Sequence, residues 1–242
     1  MSIFKQHKHI ETNVFFLAVG ILLCVIVGGL VEVVPLFTIE STIEKVDGVR
    51  PYSPLEQAGR DIYVREGCYN CHSQMIRPFK DEVERYGHYS LAAESKYDHP
   101  FQWSSKRTGP DLARVGGKYT NDWHVRHMIN PRDVVPESIM PGYPHLMRAL
   151  DTSTIQGNMK ALRVVGVPYT DAQIANAVKD LTEQASSDSP DAAVLKSYPK
   201  ARMGDVDGDP KKVTEMDALV AYLQVLGTMV DFTKVKPEAI RR

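Results

Sequence analysis

The pattern of apolar and polar positions divides the chain sharply. From Val14 to Val31 there are 18 consecutive positions without a charged residue, inside the run NVFFLAVGILLCVIVGGLVEVVPLF that spans 13–37. A helix rises about 1.5 Å per residue, so this run with its apolar flanks crosses a hydrocarbon layer of roughly 30 Å. A buried core helix would carry a polar stripe, which this run lacks. A cleaved signal sequence would be shorter and end at small residues. Here Glu32, Val33, Val34 and Pro35 follow, which favours a retained anchor. Lys5 and Lys8 precede the run, and Glu32, Glu40 and Glu44 follow its apolar centre. The positive-inside bias therefore places residues 1–12 in the cytoplasm and everything beyond residue 40 outside. Gly28 and Gly29 admit a close-packed neighbouring helix, or are simply the glycines common in membrane helices.

Beyond the anchor the periodicity is helical, and no stretch is rich in strand signals. Residues 38–52 read as a connector, and 53–242 as the domain it carries. SPLEQAGRDIYVREG predicts a helix: Ser53 as N-cap, Pro54 at the first position, Glu56 closing a capping box and Gly67 ending it. TNDWHVRHMINP predicts a short helix stopped by Pro131, followed by a loop with Pro131, Pro136, Pro141 and Pro144 within 14 residues. YTDAQIANAVKDLTEQAS predicts another, with Thr170 and Gln173 in capping-box spacing. SSDSPDAA and RMGDVDGDPKK read as polar loops. TEMDALVAYLQVLG predicts a last, amphipathic helix, capped by Thr214 and Asp217, with Leu219, Tyr222, Leu223 and Leu226 on its apolar side and Gly227 at its end. No internal repeat is visible.

Composition narrows the chemistry. The net charge is −1 and the basic residues are scattered, so nucleic acid is not an expected partner. Three cysteines, Cys24, Cys68 and Cys71, are too few for a disulfide scaffold. Cys24 lies in the apolar run, where a thiol behaves as a small hydrophobe.

Cys68, Cys71 and His72 form the sequence C-x-x-C-H directly after a predicted helix. Two thiols at this spacing add to the two vinyl groups of one haem, and the adjoining imidazole reaches the iron, which makes the motif a c-type haem signature. A zinc site needs two more Cys or His ligands at similar spacing, and no second cysteine pair exists. A thioredoxin-like dithiol expects a strand before the motif, whereas here a helix precedes it. One covalently attached haem c is therefore the expected cofactor.

The iron then needs a sixth ligand. Met140 lies in ESIMPGYP, a loop stiffened by prolines, and a weak thioether bond benefits from a loop already held in place. His145 and Met147 stand behind it. Met75 is too near His72 in sequence to reach the opposite haem face, and His124, His127 and Met128 lie on the predicted helix. In TGPDL, the Pro110 carbonyl is a candidate acceptor for the proximal imidazole's other N–H; a plain loop turn is the alternative. Tyr119, Trp123 and Arg126 are candidate partners of the haem propionates, although Trp123 also fits a simple core role. GDVDGD, residues 204–209, brings three alternating carboxylates, but the closing Glu of a calcium loop is missing and a solvated turn is expected.

In order, these pieces resemble class I cytochromes c. The longer runs GCYNCHSQMIRPFKDEVERYGHYS, TGPDLARVGGKYTNDWHVRHMINPR and SIMPGYPHL, with ETNVFFLAVGILL at the start, resemble the mono-haem subunit II of cbb3-type cytochrome c oxidases over nearly the whole chain. The resemblance implies a mainly α fold: one N-terminal transmembrane helix, then a class I cytochrome c-like domain with an enlarged loop and helix insertion. It implies Cys68 and Cys71 as haem attachment points and His72 and Met140 as axial ligands. It implies a place in a bacterial inner membrane with the haem domain periplasmic. The partners implied are a catalytic subunit with b-type haems and copper, which reduces oxygen and pumps protons, and a di-haem cytochrome c subunit. The chain itself would carry no catalytic residue. It would relay electrons from the di-haem subunit to a haem b, with the segment from Asp151 to Val213 as a docking surface or cover. An anchored cytochrome c subunit of a nitric oxide reductase shares this architecture and differs in the longer runs. Cytochrome c1 places its anchor after the haem domain. A haem sensor or a peroxidase would need an open iron position.

Overall fold

The computed structural model describes residues 3–39, 42–102, 106–186 and 192–235. Glu40, positions 187–191 of the predicted polar loop, and 236–242 at the end of the predicted domain lie outside the described residues. The chain forms two compact units, 1–44 and 45–241.

The first unit consists of helices α1, Ile3–Thr12, and α2, Val14–Thr38. Asn13 separates them in an extended conformation, and its side-chain oxygen accepts from the amides of Phe15 and Phe16 to cap α2. At 25 residues α2 is about 37 Å long, enough to cross a bilayer. None of its residues is buried within the chain. Its apolar surface thus requires a non-aqueous surrounding, as a membrane helix does. The apolar pattern does not signal α1, whose polar residues read only as a charged flank.

In the second unit, α3 (Pro54–Arg65) begins where Ser53 caps the Glu56 amide at 3.2 Å, while the Glu56 carboxylate accepts from the Ser53 amide at 2.8 Å. Arg50 clamps the same carboxylate at 2.7 and 2.8 Å, so a buried charge is paired as well as hydrogen-bonded. Short helix α4 spans Lys80–Tyr86, α5 spans Asn121–Ile129, α6 Ile155–Val164, α7 Asp171–Ser186, α8 Ala193–Ser197 and α9 Glu215–Val225. No strand occurs among the described residues; one isolated bridge joins Ala149 to Thr214.

α9 departs from the expected amphipathic helix. Every residue from Glu215 to Val225 is buried, because α3, α5 and the loops around them enclose it on all sides. A helix covered all round keeps no polar face. Its polar residues are paired: Asp217 closes the capping box with Thr214, and Gln224 donates to the Tyr119 carbonyl, 105 positions away. The α3–α9 crossing is close. A Cβ on Gly59 would stand 1.9 Å from the Ala218 carbonyl oxygen, so only glycine permits the approach. Tyr63 and Tyr52 pack their rings against Tyr222 at 5.4 and 5.6 Å beside it.

The segment from Asp151 to Val213 is more than the docking surface or cover expected from sequence. It supplies α6, α7 and α8, and Ile155, Met159, Ile174, Leu181, Val194 and Tyr198 join the same hydrophobic core as α3 and α9. Tyr169 donates to the Tyr52 carbonyl and Ser53 to Gln184, which ties the insertion to the start of α3. Nor is GDVDGD merely a solvated turn. It folds onto the N-terminus of α9, where the Asp205, Asp207 and Asp217 carboxylates lie within 4.8 Å of one another. Asp217 is buried and accepts from the amides of Val206 and Thr214; Asp207 accepts from the Thr214 hydroxyl at 2.6 Å.

Candidate functional site

The end of α3 builds the motif loop. Gly67 adopts φ 71°, which lets the chain reverse at the helix end. Cys68–Asn70 then form a single 3-10 turn, and the amides of Cys71 and His72 both donate to the Cys68 carbonyl, at 3.2 and 3.0 Å. One turn therefore presents two thiols and an imidazole together. Both thiols are free; Cys68 is half-buried and Cys71 exposed. Burial, assisted by Glu66, pushes the Cys68 thiol up to about 12. A redox dithiol is instead activated by a lowered value, typically at a helix N-terminus. Cys68 follows a helix C-terminus, whose dipole disfavours a thiolate.

His72 is half-buried and its orientation is fixed. Its Nδ1 lies 2.8 Å from the Pro110 carbonyl oxygen. A carbonyl only accepts, so Nδ1 carries the proton and Nε2 keeps a lone pair for a metal. The flanking loops are joined by two backbone bonds, Gly109 amide to Cys71 carbonyl and Leu112 amide to Ser73 carbonyl, both 2.9 Å. Gly109 lies flat against the imidazole: a Cβ there would stand 2.3 Å from Cε1 and 2.7 Å from Nδ1.

Behind this contact is a polar brace that sequence reading missed. Asp111 is buried and accepts from the Ser73 hydroxyl at 2.6 Å, the Met75 amide at 3.0 Å and the Ala113 amide at 2.8 Å. Arg107 donates to Ser73 at 2.6 Å and to Glu82 at 2.8 Å, and Arg77 closes on the same Glu82 carboxylate. The bonds from Arg107, then Arg77, hold the Glu82 carboxyl down at about 2.

α5 and the following loop form the facing wall. Thr120 caps α5 by accepting from the Trp123 amide, and Pro131 ends it. The chain then turns back: the Tyr143 amide donates to the Met128 carbonyl at 2.6 Å, and a Cβ on Gly142 would stand 2.5 Å from the Ile129 carbonyl oxygen. This return carries Met140, half-buried against the core, its amide bonded to the Ser138 hydroxyl. Two electrostatic contacts relate the walls. The Tyr143 phenol is raised by burial and by the nearby Cys68 and Cys71, and the His127 imidazole is lowered by burial and by the nearby His72.

The other sequence candidates fall as follows. His145 turns to Glu66, with its Nε2 3.2 Å from the carboxylate. Met147 packs on the core. The Arg126 guanidinium contacts the Asp133 carbonyl at 3.4 Å. Tyr119 and Trp123 lie parallel, with centroids 3.9 Å apart, and Trp123 is stacked in turn on His127 at 4.6 Å. The Tyr63 hydroxyl, buried beside Cys68 without a hydrogen-bond partner, carries no local sequence signal.

A haem fits this donor set. The imidazole has one nitrogen satisfied and one free, two thiols share its turn, and Met140 lies half-buried on the loop after α5. Among the described residues, no third and fourth His or Cys gather around the thiols as zinc would require.

A mainly helical domain with this histidine loop, in a chain with one membrane-length apolar helix, fits a class, the membrane-anchored mono-haem cytochromes of electron transport. Within that class, the chain belongs to the FixO family, the mono-haem subunit of cytochrome c oxidase, which it matches over residues 7–230. No curated protein matches the chain.

Proposed function

We propose that this chain is the electron-relay subunit of a cbb3-type oxidase. Cys68 and Cys71 would hold one haem c covalently, and His72 and Met140 would ligate its iron. The observation that carries the reading is the His72–Pro110 bond at 2.8 Å, on the same turn as the Cys68 and Cys71 side chains. Bound there, the group supplies a one-electron couple between ferric and ferrous iron.

The chain's residues set the conditions for that couple. Pro110 holds the His72 proton at Nδ1 and so directs Nε2 outward. Gly109 gives the ring room, and the Asp111 and Arg107 brace keeps the two loops in register. Met140 offers a thioether, which favours the reduced iron and raises the potential. Cys68, Leu112 and Tyr143 pack half-buried against the hydrophobic core beside the motif turn. No substrate bond is made or broken by any of these residues.

In this reading electrons arrive from a di-haem cytochrome c subunit and leave to a haem b of the catalytic haem and copper subunit. That subunit reduces oxygen to water and pumps protons. Residues 1–12 face the cytoplasm, 13–37 anchor the chain in a bacterial inner membrane, and 38–52 connect to a periplasmic, class I cytochrome c-like domain at 53–242. The test is haem staining on a denaturing gel. The wild-type chain keeps its stain, and Cys68→Ala loses normal attachment. Full staining of Cys68→Ala, or none in the wild type, refutes the assignment.

A further inference from the structure

Three rings on the α5 wall are arranged in a way that neither ligation nor core packing uses. Tyr119, Trp123 and His127 follow one another at four-residue spacing, which places them on one face of α5 and its N-terminal extension. Tyr119 and Trp123 are 3.9 Å apart with planes 13° from parallel, and Trp123 and His127 are 4.6 Å apart at 14°. Here two successive contacts are near-parallel. His124, 2 % exposed, meets Trp123 at 87° and Tyr119 at 89° from the core side and braces the stack. The inner end is His127, next to Met128, whose carbonyl accepts from the Tyr143 amide of the Met140 loop at 2.6 Å. The outer end is Tyr119, 36 % exposed, with the Lys118 ammonium 5.5 Å from its ring centre.

We propose that Tyr119, Trp123 and His127 form an electron-coupling column leading from the His72 pocket to a second redox centre, held by another subunit against the Tyr119 end. This deepens the electron-relay reading and rests on it. Electron tunnelling weakens exponentially with distance, and falls less steeply through π-systems in contact than across gaps. A continuous stack therefore extends the reach of the pocket toward the surface. The balance is simple: one electron leaves ferrous iron and reduces the neighbouring haem or copper centre. The three rings stay closed-shell, no proton moves, and no bond forms or breaks.

The experiment uses the assembled oxidase in detergent with Trp123→Leu and Trp123→Phe. Haem content and the midpoint potential of haem c are measured first. Electron transfer between haem c and the next centre is then timed after rapid reduction. Trp123→Leu is expected to keep its haem and its potential within error while transfer slows severalfold. Trp123→Phe is expected to recover most of the rate, a rescue that a purely structural role would not produce. Transfer at the wild-type rate in a haem-loaded Trp123→Leu complex overturns the column. An absence of haem in the wild-type chain would instead overturn the relay reading. Should Trp123→Leu not assemble, a photo-crosslinker placed by Tyr119→benzoylphenylalanine gives an independent readout. Crosslinks to a subunit bearing a redox centre support the proposal, and crosslinks to none refute it.

Discussion

Replacing Gly109 by alanine should unseat His72. The new Cβ would lie 2.3 Å from Cε1, 2.7 Å from Nδ1 and 2.8 Å from Nε2, well inside the 3.4 Å at which ordinary contact begins. The overlap involves the whole ring, so no rotamer of a flexible tip relieves it. Either the imidazole tilts and its bond to the Pro110 carbonyl is lost, or the 109–110 backbone retreats. Retreat strains the Gly109–Cys71 and Leu112–Ser73 bonds and the Asp111 brace. The lost hydrogen bond costs about 0.5–1.5 kcal/mol and the overpacking about 1–3 kcal/mol. Together they predict a destabilisation of about 1.5–4.5 kcal/mol, several degrees in Tm for a domain of this size. Losing the partner of a metal-ligating histidine weakens ligation by a further factor of about 10–100. Thermal and denaturant unfolding of the full chain in detergent measures the first effect; the low-spin haem spectrum and the midpoint potential measure the second. Gly157→Ala is the control. Gly157 lies within α6 with nothing near its Cβ position, and alanine there is expected to be neutral or mildly stabilising. The reasoning fails if Gly109→Ala matches the wild type in stability, spectrum and potential.

Two other perturbations probe neighbouring parts of the site. Met140→Ala is expected to leave haem attached through Cys68 and Cys71 while the potential falls and carbon monoxide gains access to the iron; a redox titration that shows no change rejects Met140 as ligand. Acid should loosen the brace through Glu82. The Arg107 bond, with Arg77, holds its carboxyl at about 2, below its ordinary value near 4.5. A depressed carboxyl contributes its full stability above the ordinary value and loses it as pH falls through about 2. The contribution is at most about 3 kcal/mol, since solvent around Arg77 screens part of it. Stability curves of wild type and Glu82→Gln should therefore converge between about pH 4.5 and 2, and parallel curves over that window contradict the assignment.

Features that depend on near neighbours in the chain are legible in the sequence. The capping boxes at Ser53–Glu56, Thr170–Gln173 and Thr214–Asp217 form as their spacing predicts, because each links residues three apart through one helical turn. α5 starts at Thr120 and stops before Pro131 for equally local reasons. Helices α4, α6 and α8 are not legible in this way. α4 and α8 are short, and short helices draw their stability from packing rather than from sequence propensity. The amphipathic reading of α9 fails because the hydrophobicity of Leu219 and Tyr222 says nothing about what covers Val220 and Ala221 on the other side.

By itself, the sequence determined the membrane-length helix, the helical character of the domain and the presence of two thiols and an imidazole on one turn. Each of these is settled within a few residues of chain. Only the tertiary structure decided which nitrogen of His72 is free, because Pro110 lies 38 positions away and the pairing depends on how two loops close. It also decided that Gly109 must be glycine, that Glu82 braces Arg107, and that the Asp151–Val213 insertion belongs to the core. Contacts between distant segments arise from packing and loop closure, and neither leaves a periodic mark in the sequence.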